Sequence, residues 1–330
     1  MIGRREFITL FGGAVAAWPL AARAQQPAIP VVGYLSPGSP DSDVPRLMTF
    51  QQGLNQTGYV EGRTVAIEYR WMQGHYDLLP TLLADFVRRP VTVIVAAGTT
   101  PGALAAKKAT ATIPIVFEVG ADPIDSGLVA NLNRPGGNLT GIFDLGSPLA
   151  AKRLELLHEL VPSVSVIAYL VNPSSVALTE SEMIEVRKAA RSLGLELHVL
   201  NASTAGEIDA AFATFAQPHR AGALLIGGEA FLTSRREQII ALAAHHAIPT
   251  IYNQREWTTA GGLMCYGFDT LEHYRQIGIY VGRILNGEKP ADLPVQQSTK
   301  IELVINLKTA KALGIMVPIT LLSRADEVIE

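Results

Sequence analysis

The sequence predicts an α/β protein made of two copies of one open, parallel-sheet lobe. Three observations carry that prediction. The first is a repeat. Val31-Val32-Gly33-Tyr34-Leu35 returns as Val166-Ile167-Ala168-Tyr169-Leu170, 135 positions later, and Ile113-Pro114-Ile115-Val116 returns as Ile248-Pro249-Thr250-Ile251 at the same offset. The stretch 93–97 before Gly98 corresponds to 223–227 before Gly228, and Asn138-Leu139-Thr140-Gly141-Ile142 to Gly262-Leu263-Met264-Cys265-Tyr266. Matches at similar offsets mean two copies of one architecture. The second observation is that each of these runs is short, apolar and rich in β-branched residues, as in strands covered on both faces of a parallel sheet. The third is the amphipathic stripe after each run, so that strands and helices alternate and the crossovers are right-handed.

Taken in order, Asp43 can cap a helix that presents Leu47, Phe50 and Leu54 and stops at Gly58. Asp77 precedes the stripe Leu78, Leu79, Leu82, Leu83 and Phe86. In the second copy Met183, Val186, Ala190 and Leu193 run to Gly194, and Ile208, Ala211, Phe212 and Phe215 form the next stripe. A closed eight-stranded barrel is disfavoured because the repeat divides the chain into halves of roughly five strands. The last part breaks the repeat. It reads as a helix over 271–285 with Tyr274, Ile277, Val281 and Leu285 on one face, an extended stretch over 293–299, a strand at 301–305, and a short helix capped by Asn306. Such a tail fits a chain that crosses between lobes near Phe143, Phe268 and Gln297. The predicted lobes are 25–143 with 268–297, and 144–267 with 298–330.

The chain has 330 residues, 48% hydrophobic and 17% charged, which supplies a large core and rules out a disordered chain. A net charge of -3 leaves no basic surface for nucleic acid, and the one cysteine, Cys265, excludes an internal disulfide and a cysteine-based zinc cluster. At the N-terminus, Arg4-Arg5 precedes an apolar stretch over 9–20, and Ala22-Arg23-Ala24 offers a cleavage point. This reads as an export signal of twin-arginine type, cut after Ala24. The mature chain would carry 24 basic and 29 acidic residues and be soluble outside the cytoplasm. No cysteine stands after the apolar stretch, so no lipid anchor is expected there.

In open parallel sheets a ligand sits beyond the carboxyl ends of the strands, so the residues just past each strand are the candidates. In the first copy these are Ser36, the turn Gly98-Thr99-Thr100-Pro101-Gly102, Glu118 and Asp122. The turn before a helix over about 103–109 can receive a carboxylate or phosphate on free backbone N–H groups, or Thr99 or Thr100 can simply cap that helix. Asp122 can bind a ligand ammonium or cap the next helix through Ser126 and Gly127. Glu118 is either a cleft acid or the partner of a nearby base. In the second copy the candidates are Asn172, Glu229 and Asn253 for polar contacts and Tyr266 for a flat face with a hydroxyl. Trp71 is a further candidate aromatic wall. Taken alone, each is more often structural: Tyr266 as core, Asn253 as a turn residue. What unites them is one end of paired sheets.

Enzyme motifs are missing from the sequence. There is no Gly-x-Ser-x-Gly, no HExxH, and no Gly-Lys-Ser/Thr after the glycine turn. His245-His246 point about 100° apart on a helix. His75, His158, His198, His219 and His273 are scattered singly and read as surface or satisfied histidines, and Cys265 reads as core. No cofactor and no metal are expected.

The segments Ala97-Gly98-Thr99-Thr100-Pro101, Gly120-Ala121-Asp122-Pro123, Arg134-Pro135-Gly136-Gly137-Asn138-Leu139-Thr140-Gly141 and Lys152-Arg153-Leu154-Glu155-Leu156-Leu157, with Asn306-Leu307-Lys308-Thr309-Ala310 and Ala325-Asp326-Glu327 of the tail, carry a resemblance. The chain resembles the periplasmic substrate-binding proteins of ABC transporters, in the group related to a tryptophan/tyrosine-binding component, over nearly the whole mature length. The resemblance implies a type I periplasmic-binding-protein fold with two Rossmann-like lobes and a hinge of three crossings. It implies a ligand carboxylate at Thr99-Thr100, an amino group at Asp122, and closure by Asn253 and Tyr266. With the duplicated lobe behind an export signal, the expected function is that of a non-enzymatic receptor, a monomer, that delivers an amino acid or other small carboxylate to a permease and its ATPase. A ligand-sensing subunit for a membrane receptor is the alternative. An exported hydrolase or lyase using Glu118, Asp122 or Glu229 is a weaker one.

Overall fold

Continuous apolar runs flanked by amphipathic stripes force each strand to be covered on both sides, and the computed structural model shows how. It describes residues 29–330 apart from 90, 145 and 217–220. The export signal and its cut after Ala24 lie outside the described residues. In the first part β1 (Val31–Ser36), α1 (Val44–Gln56), β2 (Ala66–Trp71), α2 (Leu79–Arg88), β3 (Val93–Ala96), α3 (Thr100–Ala109), β4 (Ile115–Val119) and β5 (Leu139–Phe143) alternate. The second part repeats the scheme with α4 (Gly146–Leu160), β6 (Val166–Val171), α5 (Val176–Leu193), β7 (Glu196–Asn201), α6 (Ala205–Ala213), β8 (Ala223–Ile226), α7 (Ala230–Ser234), α8 (Arg236–His245), β9 (Thr250–Tyr252), α9 (Arg255–Thr259) and β10 (Met264–Phe268). The tail adds α10 (Thr270–Leu285), β11 (Gln296–Gln297), β12 (Ile301–Asn306), α11 (Leu307–Ala312), α12 (Ile319–Leu322) and β13 (Glu327–Ile329).

These strands form two sheets, ordered β11-β5-β4-β3-β1-β2 and β13-β12-β10-β9-β8-β6-β7. The chain therefore passes between sheets after β5, after β10 and after β11. Alternation along each strand supplies a core on each face. From β1, Val32 and Tyr34 pack with Phe50 of α1 and Ile277 of α10, while Leu35 packs with Leu83 and Phe86 of α2. From β6, Ile167 and Tyr169 face Leu157 and Val186, while Ala168 and Leu170 face Ile208 and Phe212. One pairing departs from the parallel expectation: β12 runs antiparallel to β10. β10 ends at the inter-lobe side, and the chain comes back across from β11 at that same side, so the returning strand must run the other way.

Two local features differ from the sequence expectation. Asp43 precedes α1 but its side chain caps nothing there. Its carboxylate instead accepts a hydrogen bond from Ser36 and lies 3.8 Å from the Arg46 guanidinium. No helix directly follows Asp122 for it to cap; the chain turns through 123–127. Elsewhere the capping chemistry holds. Gly194 ends α5 in the left-handed region, and Thr204 with Glu207 forms a reciprocal capping box on α6. No helix among the described residues is long and apolar enough to cross a membrane.

Candidate functional site

The carboxyl ends of the two sheets face each other across a cleft of about 710 Å³, its open mouth included. Strand ends supply Gly98, Thr100 and Glu118 from the first lobe and Glu229, Asn253 and Phe268 from the second. Arg46 of α1, Arg153 of α4, Glu182 of α5, and Thr270 and Tyr274 of α10 complete the wall, with Asp144 on the first crossing.

The lobes touch. Tyr76, in the short turn before α2, donates its hydroxyl hydrogen to Glu229. Arg46 donates from Nη2 to Gln254 Oε1 at 3.0 Å and stands 3.9 Å from Glu256. Arg236 reaches back to the Ser42 carbonyl at 3.3 Å. Each contact joins an element of one sheet to an element of the other, which is a closed arrangement.

Most of the cleft charges are already matched. Arg153 and Glu182, both almost fully buried, pair at 3.1 Å, and Glu182 also accepts from the Tyr169 hydroxyl at 2.7 Å and the Gly228 amide at 3.0 Å. Glu229 caps α7 by accepting from the Phe231 amide at 2.7 Å, and it takes Asn172 Nδ2 at 2.9 Å besides Tyr76. Burial still pushes its carboxyl above the usual range, against those hydrogen bonds.

The remaining acids are different. Among the described residues, Glu118 has a single side-chain hydrogen-bond contact, His273 Nδ1 at 3.4 Å. Glu118, Asp144 and His273 bring one ligating atom each to within 4.8 Å of one another, so two carboxylates and an imidazole converge. Burial, then the neighbouring Glu118 charge, pushes the Asp144 carboxyl up to about 7, while His273 and Arg153 pull it down. Burial pulls His273 down, but the Glu118 hydrogen bond and the charges of Glu118 and Asp144 outweigh it and hold the imidazole above its usual range. Three further wall residues carry polar atoms with no hydrogen-bond partner among the described residues: Arg153 Nε, Asn253 Oδ1 and Thr270 Oγ1. A buried polar atom left unpaired in a cleft is where a ligand atom belongs.

The structure brings Thr100, Glu118, Glu229 and Asn253 of the expected residues to the cleft wall. The others sit behind it. Ser36 donates to Asp43 and accepts from the Gly38 amide, holding the loop after β1. Thr99 caps α3, its hydroxyl accepting from the Gly102 amide at 3.5 Å. Asn172 orients Glu229 and accepts from Ser174 and Ser203. Asp122 accepts from the Ile124 and Asp125 amides and is not part of the wall. Tyr266 packs its ring against the second-lobe core, and its carbonyl accepts from Arg153 at 3.4 Å. Trp71 stacks on Tyr69, away from the cleft. Sequence reasoning did not single out Asp144, Arg153, Thr270 or Arg46, and it read His273 as a surface or satisfied histidine, which the structure buries against Glu118. Asp144 stands just past β5 as Glu118 stands at the end of β4, so the strand-end rule would have found it. The other four lie on helices and carry no local signal.

Residues 37–329 match the family described as ABC transporter substrate binding protein. The chain belongs to that family. A tyrosine-binding protein of Clostridioides difficile (strain R20291) is 28% identical over 268 residues, covering 80% of this chain and 75% of that one. A crystal structure of a conserved domain protein from Vibrio cholerae O1 biovar El Tor is 30% identical with a TM-score of 0.81, covering 91% of this chain and 99% of that chain. A Streptococcus pneumonia ABC domain crystallised with L-Trp is 26% identical with a TM-score of 0.80 and the same coverage. The two lobes are thus those of a type I periplasmic binding protein.

Proposed function

We propose that this chain captures an amino acid between its lobes and hands it to an ABC importer. One observation carries the ligand class. Strands β3 and β4 are neighbours, and their ends present opposite chemistry side by side. The Gly98 turn opens into the N-terminus of α3; Thr99 takes the Gly102 amide and Pro101 has none, so a carboxylate there would meet the Thr100 amide and the positive end of the helix dipole. Glu118 offers a carboxylate to an ammonium, and a Cβ added at Gly98 would stand 3.7 Å from its Oε2. Adjacent parallel strands are about 4.8 Å apart, a spacing suited to the two charged groups on one α-carbon. Asn253 and Thr270 then supply polar contacts, and Leu149, Leu178 and Phe268 supply apolar wall for a side chain.

The names of the relatives support this reading: one binds tyrosine and one was crystallised with L-Trp. Capture favours the closed form through contacts to both lobes, and a permease with its ATPase recognises that form. With an export signal of twin-arginine type, the chain works in the periplasm, as a monomer.

The test is isothermal titration of mature protein from Gln25 onward, stripped of solute by unfolding and refolding. L-Tyrosine, L-tryptophan and L-phenylalanine are compared with tyramine, which lacks the carboxylate, and with 3-(4-hydroxyphenyl)propionate, which lacks the amine. Tight binding of an amino acid with loss for both analogues is expected. Equal binding of tyramine would remove the carboxylate role of the α3 N-terminus, and no binding by any amino acid would remove the reading.

A further inference from the structure

The charge balance around the first crossing is uneven. Arg153 and Glu182 neutralise each other, and Arg46 is taken up by Asp43, Gln254 and Glu256. Glu229 is saturated by three donors. Among the described residues, that leaves Glu118 and Asp144 with one unspent base in contact, His273, while the Arg46 and Arg153 charges, each already paired, act from further off. The groups that act on Asp144 are Glu118 from β4, His273 from α10, Arg153 from α4 and Glu182 from α5. With both carboxylates ionised and His273 charged, the cluster still lacks one positive charge. A buried cluster meets such a deficit by holding a proton or by binding a cation.

The position of the cluster gives that deficit a consequence. Asp144 sits on the chain between β5 and α4, and His273 lies in the first turn of α10, just after the second crossing. Both Glu118 and Asp144 line the cleft. Any cation that settles the charge therefore does so at the hinge and in contact with the ligand.

We propose that Glu118 and Asp144 form the seat for the ligand's ammonium group, and that capture exchanges a proton held at this pair for that ammonium. The inference rests on the amino-acid reading above and adds to it a required amine, a named seat and a proton count. No covalent bond changes other than the O–H bond of that acid. The proton leaves the Asp144 carboxyl for solvent, and the ammonium takes its place between the two carboxylates. His273 keeps its proton and positions Glu118.

The experiment uses the full mature chain, dialysed against EDTA, with L-tyrosine and L-tryptophan at pH 5.5 to 8, in MES and Bis-Tris at the acid end and in phosphate and Tris at the alkaline end. These buffers differ in ionisation enthalpy, so the difference in apparent heat counts protons released. A group that titrates near 7 and must ionise to bind makes affinity about 30-fold weaker at pH 5.5 than at pH 8. About one proton per ligand should be released at the low end of that range. Asp144→Asn should bind at the wild type's pH 5.5 level across the range and release none. Should that variant not fold, the wild-type proton count decides. Affinity independent of pH with no proton released overturns the inference while leaving the amino-acid reading intact. An equal pH dependence for 3-(4-hydroxyphenyl)propionate also overturns it, because the amine would then be irrelevant. Failure of every amino acid at every pH overturns both.

Discussion

The Tyr76 hydroxyl of the first lobe donates a hydrogen bond to the Glu229 carboxylate of the second. Glu229 is otherwise held by its own lobe, through Asn172 and the Phe231 amide. The Tyr76 contact is thus separable: opening the lobes breaks it and leaves the rest of the Glu229 network in place. Hydrogen bonds to charged groups contribute about 1.5–3 kcal/mol, so Tyr76→Phe should shift the equilibrium toward the open form by that order. Ligand affinity should fall by about tenfold or more. Small-angle scattering of the ligand-free variant should give a larger radius of gyration than the wild type. An unchanged radius would mean that Arg46 and Arg236 hold the lobes without help.

The same closed arrangement should respond to pH without ligand. In the closed arrangement burial raises the Asp144 carboxyl from the ordinary 3.8 to about 7 and raises Glu229 as well, and opening the cleft should bring solvent to both. A raised carboxyl binds protons more tightly in the closed form. Closure is therefore fully supported below the open-form pKa, and that support is lost as pH rises through the closed-form value. The ligand-free protein should be most closed near pH 5 and open progressively toward pH 8. Scattering or a fluorescence pair across the cleft would track it. Opening as the pH falls would reverse the sign and exclude these two carboxyls as its cause.

Much of this molecule could be read before any coordinates, for definable reasons. Strands such as Val93–Ala96 and Ala223–Ile226 are apolar runs fully covered on both faces, and burial of that kind leaves a composition signal. The strand-end rule likewise reached Glu118, Glu229 and Asn253, because topology alone sends such residues to the cleft. It also reached Asn172, Ser36 and Thr99, which sit at the right end but spend their hydrogen bonds on loops and caps. Which strand-end residue faces the ligand and which faces the loop behind depends on side-chain direction, and no local pattern encodes that. His273 was hidden more thoroughly. It belongs to an amphipathic helix in which a histidine has no distinguishing neighbour, and only the return of the chain to the first lobe puts it against Glu118.

That return depends on a close helix contact. α1 and α10 approach so tightly that a Cβ on Gly278 would run into the carbonyl oxygen of Phe50, and one on Gly53 into that of Arg275. The obstacles are backbone atoms of rigid helices, so the helices would have to separate. Overpacking typically costs about 1–3 kcal/mol, and Gly278→Ala belongs at the upper end. The displaced α10 would carry Thr270, His273 and Tyr274 with it. Urea denaturation should show the loss of stability, and titration should show weakened ligand binding. Wild-type stability in Gly278→Ala would contradict the close contact.

Thr270 allows stability and ligand binding to be pulled apart. Its hydroxyl is buried, lines the cleft and has no hydrogen-bond partner among the described residues. Leaving such a group unpaired costs about 1–3 kcal/mol, so removing it without changing shape should help the ligand-free protein. Valine matches threonine in volume and branching. Thr270→Val should therefore raise the unfolding midpoint by a few degrees while weakening amino-acid binding by about tenfold, the loss of one hydrogen bond. A hydroxyl with a purely structural role predicts the opposite: a lower midpoint and unchanged affinity. The two measurements together, thermal unfolding without ligand and titration with it, decide whether α10 contributes this residue to the fold or to the ligand.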